Sequence, residues 1–418
     1  MTTADTPRLE LAAPRLTFPR VLTRGAVAKA ITEVAVRPMP IRMRYPDGTV
    51  VGDGGPDSPI LDVVRPRALF RRLEAHPKIG LGEAYMAGDW RAGEGTDLAR
   101  ALMPFAARMG ELVPKPLLSL RGLVDRAIPR HQRNTLEGSR SNISAHYDLS
   151  NDLFSAFLDP SLSYSSALFD PARPVAEQDL HEAQVRKVEA ILDAADVRAG
   201  SRVLEIGTGW GELSIRAAAR GATVTSVTLS SEQRDLALER IAAAGYADRV
   251  EVLLQDYRET TGQFDAIVSV EMIEAVGEEY WETYFQQIDS LLAPGGAVAV
   301  QAILMEHHRL LATKGSFGWI QKYIFPGGLI PSLQAIRDVT RESTTLRVER
   351  VQAFGADYAE TLRRWRETFI ARWDEIEHHG FDETFRRMWE FYLAYCEAGF
   401  ATGYLDVAQI RFTRQEDR

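Results

Sequence analysis

The sequence predicts an α/β protein with a doubly wound, largely parallel sheet, a smaller α+β domain in front of it and a helical region after it. Three observations lead to this prediction. Strand-like and helix-like segments alternate after residue 200, a glycine-rich turn joins the first of these strands to the next helix, and the pattern before residue 126 is different.

Five short apolar segments are the predicted strands: residues 202–206, 223–228, 250–254, 266–270 and 297–302. Segments with helical periodicity follow the first two, at 212–219 and 231–244. Because parallel strands need a crossover between them, this alternation predicts a parallel sheet with helices on both faces.

A chain of 418 residues is long enough for two domains. Residues 1–125 combine a β-rich piece, with turns such as Pro46-Asp47-Gly48, and a helical piece interrupted by prolines. Residues 126–140 are polar and basic and are predicted to be a linker, so that 141–418 form the larger domain. Its last part, 354–418, is charged and is predicted to be helical.

The net charge of −9 is unevenly distributed along the chain. Residues 1–140 contain 22 Lys and Arg against 15 Asp and Glu, whereas the remainder contains 27 against 43. A basic front segment suggests an anionic partner, either a lipid headgroup surface or nucleic acid. Ordinary solvated arginines are an equally good explanation of the charge alone.

Location and redox chemistry are only weakly constrained by composition. No apolar run is long enough to span a membrane and no signal-peptide pattern is present, so a cytoplasmic protein is expected. The single cysteine, Cys396, excludes an intramolecular disulfide and a Cys-based zinc cluster, and no metal site is expected.

The glycine-rich turn, Val203 to Gly211, lies where open α/β sheets bind ligands. Such a turn also occurs in dinucleotide-binding folds, but those favour an acidic residue after the second strand, where this chain has Thr228 and Leu229. After the third strand, Asp256 and Tyr257 offer a carboxylate and an aromatic face for adenine. The combination resembles the Rossmann-like class I methyltransferases that use S-adenosylmethionine (SAM).

Longer motifs surround this core. They are the segments 146–154, 158–160, 164–167, 269–277 and 319–328. Together they resemble the cyclopropane-fatty-acyl-phospholipid synthases and mycolic acid methyltransferases, over roughly residues 140–412. Residues 67–90 are also similar to the N-terminal domain of the longer synthases, where the domain is thought to engage the membrane.

The loop positions and the resemblance together imply a SAM site. Its expected members are Tyr147, Tyr164, Ser165, Glu205, Gly207, Thr208, Gly209, Trp210, Gly211, Thr228, Leu229, Gln233, Asp256, Tyr257 and Arg258.

The implied chemistry is methyl transfer to an isolated alkene. Because an alkene is a weak nucleophile, the enzyme must align it with the sulfonium methyl group and exclude water. The transfer leaves a carbocation in the acyl chain, which aromatic faces can stabilise. A base must then remove a proton, and the position of that base selects the product.

In the family, that base is thought to be bicarbonate held by a Cys, a Glu, a His and a Tyr. The resemblance places Glu274 and Tyr323 at two of these positions, although a surface acid and a packed aromatic loop are alternatives. Ser166 and Gln301 replace the Cys and the His, which puts bicarbonate binding in doubt.

Two further residues are weaker catalytic candidates. His146 could act as a base, or could orient a loop that covers SAM. Cys396 stands where the family has a cysteine that was considered catalytic, but its apolar helical setting favours a buried core thiol.

The resemblance therefore implies SAM-dependent methylation of an unsaturated phospholipid acyl chain, with a methylene-branched product favoured over a cyclopropane ring. The expected partners are membrane phospholipid, a separate reductase and a second copy of the chain, with no nucleic acid and a location at the inner membrane face. The alternatives are a methyltransferase of a soluble small molecule and a lipid-binding protein without catalysis.

Overall fold

The computed structural model describes residues 24–108 and 150–414. These residues form two compact units, each assembled from separate stretches of chain. The described parts of the first unit are residues 24–108, 315–324 and 366–404, and those of the second are 150–314, 325–365 and 405–414. The predicted linker, 126–140, lies outside the described residues, and the predicted division at that point stays a prediction.

The helices and strands of the described ranges are, in chain order, α1 Arg24–Val36, β1 Arg42–Arg44, β2 Val50–Val51, β3 Ile60–Val63, α2 Pro66–Ala75, α3 Gly80–Met86, β4 Trp90–Ala92, α4 Leu98–Ala107, α5 Asn151–Phe157, α6 Leu180–Ala194, β5 Arg202–Ile206, α7 Glu212–Ala219, β6 Thr223–Thr228, α8 Ser231–Ala243, β7 Val250–Leu254, β8 Phe264–Val270, α9 Ile273–Val276, α10 Trp281–Leu291, β9 Leu292–Met305, α11 His307–Thr313, α12 Trp319–Tyr323, α13 Leu333–Ser343, β10 Leu346–Ala353, α14 Gly355–Ala371, α15 Trp373–Glu377, α16 Glu383–Ala401 and β11 Leu405–Arg414.

The second unit contains a seven-stranded sheet in the order β7-β6-β5-β8-β9-β11-β10. Strands β5 to β9 are the five predicted strands, and their pairings are parallel. The strand order runs outward in both directions from β5, which makes the carboxyl end of β5 a topological switch point. The predicted doubly wound α/β fold is thereby confirmed.

Both faces of this sheet are buried. Alternate residues of β5 point to opposite sides: Val203 belongs to one apolar cluster and Leu204 to another. In β8, Val268 and Ile267 divide between the same two clusters. A sheet buried on both faces explains why its strands are almost continuous apolar runs in the sequence.

The end of the chain differs from the prediction. Helices α14 to α16 account for most of 354–401, but Leu405–Arg414 form the strand β11, which pairs antiparallel with both β9 and β10. Ala408, Ile410 and Phe412 alternate along β11 and join the cluster that contains Leu204. The helical prediction for 354–418 was wrong here because an interior strand is buried on both faces, which obscures its period of two.

The first unit contains a small sheet in the order β2-β1-β3-β4. Strands β1 and β2 are antiparallel around the predicted turn, where Gly48 has a φ of 84° and Thr49 N donates to Asp47 Oδ1 over 2.9 Å. Helix α16 packs on α3 and α4. Within the described ranges, no helix is long and apolar enough to cross a membrane.

Candidate active site

The glycine-rich loop at the switch point has a backbone that only glycine adopts easily. Gly207, Gly209 and Gly211 have φ values of 98°, 52° and 90°, and α7 begins directly after them. A Cβ atom on Gly211 would lie 3.2 Å from Ala237 Cβ, so the loop packs closely on α8. The loop thus turns the chain from β5 into α7 at the switch point, the place where open α/β sheets bind ligands.

Glu205 lies behind this loop and is buried. Its Oε2 accepts hydrogen bonds from Ser214 Oγ over 2.5 Å and Ser226 Oγ over 2.6 Å. Burial raises the pKa of the Glu205 carboxyl to about 7, against the effect of these two donors. Ser226 also contacts Thr208 Oγ1 over 2.7 Å, so Glu205 ties the loop to β5, β6 and α7.

At the carboxyl end of β6, three side chains form a compact polar turn. Thr228 Oγ1 donates to Gln233 Oε1 over 3.1 Å, and Ser230 Oγ accepts from Gln233 N over 3.2 Å at the start of α8. Thr228 and Gln233 are both buried, with Leu229 partly exposed between the strand and the cap. The two predicted cofactor residues are therefore held against one another beside the glycine loop.

The end of β7 holds a second polar element. The buried Asp256 carboxylate accepts hydrogen bonds from Arg258 Nε over 2.8 Å and Nη2 over 2.6 Å. The Arg258 guanidinium lies 5.3 Å from the centroid of the Tyr280 ring, and Tyr257 packs edge-on against Tyr284. Asp256 is thus ion-paired with Arg258, and Tyr257 offers an aromatic surface at the sheet edge.

Aromatic side chains form another part of the second unit. Tyr164 stacks on Trp365 with ring centroids 5.4 Å apart and meets Phe154 edge-on at 5.0 Å. Trp210, in the glycine loop, packs on Phe154 and donates from Nε1 to Asn151 Oδ1 over 2.8 Å. The predicted cofactor residues Tyr164 and Trp210 thus contact the same phenylalanine.

Next to Tyr164, Ser165 is held by a buried lysine that the sequence analysis did not single out. Lys187 Nζ donates to Ser165 Oγ over 2.6 Å, and Gln184 Nε2 donates to the Ser165 carbonyl over 2.8 Å. Burial lowers the pKa of Lys187 to about 8, so the side chain still carries its charge at neutral pH.

A carboxylate with three hydrogen-bond donors, Glu271, lies directly after β8 at the sheet edge. Its Oε1 accepts from Ser166 N over 2.9 Å and from Gln301 Nε2 over 2.8 Å, and its Oε2 accepts from Tyr358 OH over 2.5 Å. Glu271 has a φ of 50°, an uncommon value for a residue with a side chain. The structure therefore brings together Ser166 and Gln301, the two residues that depart from the family pattern.

Sequence analysis missed Glu271 and Tyr358. An available signal was an acidic residue at the carboxyl end of a buried strand, three positions before Glu274 in the motif 269–277. Tyr358 lies on α14 and has no such signal, because it reaches Glu271 only through the tertiary fold.

The Gln301 side chain is oriented by a second amide. Its Oε1 accepts from Gln409 Nε2 over 3.1 Å, and Gln409 Nε2 also donates to the Lys187 carbonyl over 3.0 Å. With its oxygen engaged by β11, Gln301 presents its NH₂ group to Glu271 and, over 3.4 Å, to the Ser166 carbonyl.

Glu274, in the short helix α9, is the predicted catalytic acid. Its Oε1 accepts a hydrogen bond from Ile303 N of β9, whereas its Oε2 is buried with no hydrogen-bond partner among the described residues. Burial and the negative charge of Glu271 raise the pKa of Glu274 to about 8. The carboxyl group is therefore protonated at neutral pH.

Of the remaining catalytic candidates, two belong to the first unit and one lies outside the described residues. Tyr323, in the first unit, donates to Glu83 Oε1 over 2.8 Å, and both burial and Glu83 raise the pKa of the Tyr323 hydroxyl. Cys396, also in the first unit, has a pKa raised to about 12 by burial and is a neutral thiol. His146 and Tyr147 lie outside the described residues.

The residues at the predicted bicarbonate position do not fit a separate anion. The Ser166 N–H and the Gln301 amide, two donors that could hold bicarbonate, both donate to the Glu271 carboxylate. A bicarbonate ion beside them would be repelled by the negative charge of Glu271 and would lack these two donors. No step of the mechanism is therefore assigned to bicarbonate.

The fold and the loops at the switch point define a class of protein: a SAM-dependent methyltransferase of the class I, Rossmann-like fold. Residues 134–410 match the family model described as mycolic acid cyclopropane synthetase. The chain belongs to this family.

Three similar proteins illustrate the relationship. Tuberculostearic acid methyltransferase UfaA1 of Mycobacterium tuberculosis is 50% identical, over 99% of this chain and 98% of the relative. Cyclopropane-fatty-acyl-phospholipid synthase of Escherichia coli is 35% identical, over 82% and 85%. The crystal structure of mycolic acid cyclopropane synthase CmaA1 with SAH and CTAB has a TM-score of 0.60 and 29% identity, and the match covers 65% of this chain and 97% of that one.

Proposed function

We propose that this protein transfers a methyl group from SAM to the cis double bond of an unsaturated phospholipid acyl chain and leaves a methylene branch. The observation that carries the proposal is the 50% identity, over nearly the full length of both chains, to a tuberculostearic acid methyltransferase. The buried polar cluster at the ends of β8 and β9 supports it, because deprotonation of a carbocation needs a base in a site shielded from water.

The proposed SAM site consists of the switch-point loops and two segments before them. SAM supplies an electrophilic methyl group on a sulfonium ion. The chain is proposed to hold it with Tyr147, Tyr164, Ser165, Glu205, Gly207 to Gly211, Thr228, Leu229, Gln233, Asp256, Tyr257 and Arg258. Of the described residues in this set, Glu205 acts through the loop conformation, because its carboxylate is buried against Ser214 and Ser226.

The proposed reaction balances without a redox partner. The alkene π electrons form the new C–C bond while the C–S bond breaks onto sulfur, and the positive charge moves to the neighbouring chain carbon. A hydride shift from the methyl-bearing carbon then places the charge on that carbon. Loss of one proton from the new methyl group gives the methylene branch, and the proton passes to a base.

A cyclopropane ring is the second candidate product. It forms if the methyl proton leaves before the hydride shift, because the methyl carbon then bonds to the original cationic carbon. The 35% identity to the Escherichia coli synthase favours this alternative. The timing of proton removal, and therefore the placement of the base, separates the two products.

The proposal also includes partners. The substrate lies in a membrane, so we propose that the protein acts peripherally, from the cytoplasmic side, and as a homodimer. A methylene product would require a separate reductase to become a methyl branch. His146, Tyr323 and Cys396 stay catalytic candidates with no assigned proton transfer.

The test is fatty acid analysis of a bacterial host that expresses the protein and grows on methyl-labelled methionine. We expect phospholipid acyl chains that gain one labelled carbon, with a control strain expressing Gly211→Val showing none. Ring and methylene products have equal mass, and NMR of the purified esters distinguishes them. Absence of label from all acyl chains would support a soluble small-molecule substrate and contradict the proposal.

A further inference from the structure

Glu271 is the carboxylate whose placement extends the proposed function. We propose that Glu271 is the base built into this protein, and that it replaces an exogenous bicarbonate in accepting the proton from the cationic acyl chain. This inference rests on the proposed function and identifies the residue that completes its last step.

Three hydrogen-bond donors surround the Glu271 carboxylate. A backbone N–H from Ser166, an amide N–H from Gln301 and a hydroxyl from Tyr358 converge on one carboxylate from three separate elements of the second unit. Three donors on one carboxylate favour its ionised form and fix its orientation. An acid that served only to fill space would not require such a set.

The hydrogen-bonding capacity of Glu271 leaves room for a proton. A carboxylate has about four lone-pair sites, and the described contacts use two on Oε1 and one on Oε2. The fourth, on Oε2, is left to accept a proton. Tyr358, the donor to that same oxygen, is a positioning residue, because it restricts the direction in which Oε2 accepts.

Lys187 and Glu274 set the charges around Glu271. The buried Lys187 ammonium favours the anionic form of Glu271, although burial itself raises the pKa of the Glu271 carboxyl. Glu274, with its pKa raised to about 8, is neutral beside it. Of the two acids, Glu271 is therefore the one whose ionised form is stabilised by donors and by a neighbouring cation.

Gln301 stands where the family pattern has a histidine, at a position expected to bind bicarbonate, and its side-chain amide donates to Glu271 instead. At the other departing position, Ser166 supplies its backbone N–H to Glu271, and its hydroxyl donates to the Ala167 carbonyl. A carboxylate on the chain therefore takes the place of an anion from solution. In the proposed step, a C–H bond of the new methyl group breaks, its electron pair forms the carbon–carbon π bond of the methylene branch, and the proton binds Glu271 Oε2.

The primary experiment uses the wild-type protein. Methyl transfer from SAM to phospholipid vesicles is measured in buffer freed of carbon dioxide and bicarbonate, and again with bicarbonate added. We expect equal rates within about two-fold, since the base belongs to the chain. A rate that falls about ten-fold or more without bicarbonate, and returns on its addition, would overturn the inference while leaving the proposed function intact.

The second experiment removes the carboxylate. Glu271→Ala is expected to lower kcat by roughly 10²-fold or more, the usual contribution of a positioned base. SAM binding, measured by calorimetry, should be unchanged, and added bicarbonate or formate should restore part of the rate. Glu279→Gln, the neutralisation of an exposed acid eight residues further on, serves as the matched control and should keep full activity.

Folding defects are controlled by Glu271→Gln, which preserves the shape and the hydrogen-bonding oxygen. If this variant folds, binds SAM and methylates lipid at the wild-type rate, Glu271 is not the base. If wild-type protein methylates no lipid in either buffer, the proposed function fails, and the inference falls with it.

Discussion

Two glutamates three positions apart, Glu271 and Glu274, have opposite electrostatic surroundings. Glu271 meets three donors, whereas Glu274 Oε1 meets one backbone N–H and its Oε2 has no partner among the described residues. Burial disfavours charge on both, so the donors decide which one ionises first. The different chemistry of the two residues thus comes from their neighbours rather than from their type.

The raised pKa of Glu274 predicts that the stability difference between wild type and Glu274→Gln depends on pH. A carboxyl with a folded-state pKa of about 8 is destabilising once the pH exceeds its unfolded value, near 4.5, and this penalty grows up to about pH 8. Glu274→Gln, which mimics the protonated form, should therefore gain stability relative to wild type as the pH rises. We expect a change in the stability difference of more than about 1.4 kcal/mol, the value of one pKa unit.

Urea unfolding of wild type and Glu274→Gln at pH 5 and pH 9 measures this difference. Glu205 and Lys187, which also have shifted pKa values, are present in both proteins, so their titration cancels in the comparison. A stability difference that does not change with pH would show that Glu274 is not a buried neutral acid.

The glycine loop supports a second prediction at this scale. In Gly211→Ala, a residue with a side chain would have to keep the backbone φ of 90°, and its Cβ would lie 3.2 Å from Ala237 Cβ. We expect a loss of stability of about 1–3 kcal/mol from strain and crowding, together with weaker SAM binding by calorimetry.

Gly245→Ala is the matched control for strain alone. Gly245 has a φ of 83°, but no neighbouring atom lies within 4 Å of its added Cβ, and it follows α8 on an exposed turn. It should lose stability by about 1 kcal/mol and keep its SAM affinity. Equal SAM affinity in Gly211→Ala and wild type would remove the glycine loop from the proposed cofactor site.

At the scale of elements, the parallel strands could be predicted from the sequence because each is a short apolar run followed by a helix. Strand β11 could not, since it is buried on both faces and follows the long helix α16. The first unit also includes 315–324 and 366–404, which no local pattern assigns to it. Long-range assembly of this kind leaves no periodic signal.

The site residues divide in the same way, into those with a local sequence signal and those without one. Residues in loops after predicted strands, such as Thr228 and Asp256, could be placed at the sheet edge from their order alone. Lys187 and Tyr358 lie within helices, and their roles depend on contacts with residues far along the chain. A helix pattern shows which side is apolar, but not which partner it will meet.

The start of α8 allows a prediction for an element. Ser230 Oγ caps this helix by accepting from Gln233 N over 3.2 Å, and Gln233 is paired with Thr228 at the end of β6. Ser230→Ala should lower the free energy of unfolding by about 1 kcal/mol and also weaken SAM binding, because the turn loses its anchor.

Ser332→Ala is the matched control for the cap. Ser332 caps α13 through Ala335 N over 3.0 Å and also contacts His307 Nδ1 over 2.8 Å. Its loss of stability, measured by urea unfolding, should equal or exceed that of Ser230→Ala. If both variants weaken SAM binding to the same degree, the effect reports general destabilisation rather than the cofactor site.

At the scale of the whole molecule, the charge distribution has to be reconciled with a membrane substrate. A protein with a net charge of −9 is repelled overall by an anionic bilayer. Residues 1–140 nevertheless have seven more basic than acidic residues, and several of the basic ones, including Arg67 and Arg71 on α2, are exposed. An anionic surface would therefore attract residues 1–140 more than the rest of the chain.

This distribution predicts salt-dependent binding to anionic vesicles. In a sedimentation assay, the protein should bind vesicles that contain phosphatidylglycerol more tightly than pure phosphatidylcholine vesicles. Binding should weaken from 0.1 M to 1 M salt, as the Debye length falls from about 10 Å to about 3 Å.

The double variant Arg67→Glu/Arg71→Glu should bind less, since each basic residue near the surface contributes about 1 kcal/mol. The variant Arg198→Glu/Arg350→Glu changes the net charge equally at exposed positions of the second unit. If both variants lose the same affinity, net charge alone governs binding and the basic front segment has no special role.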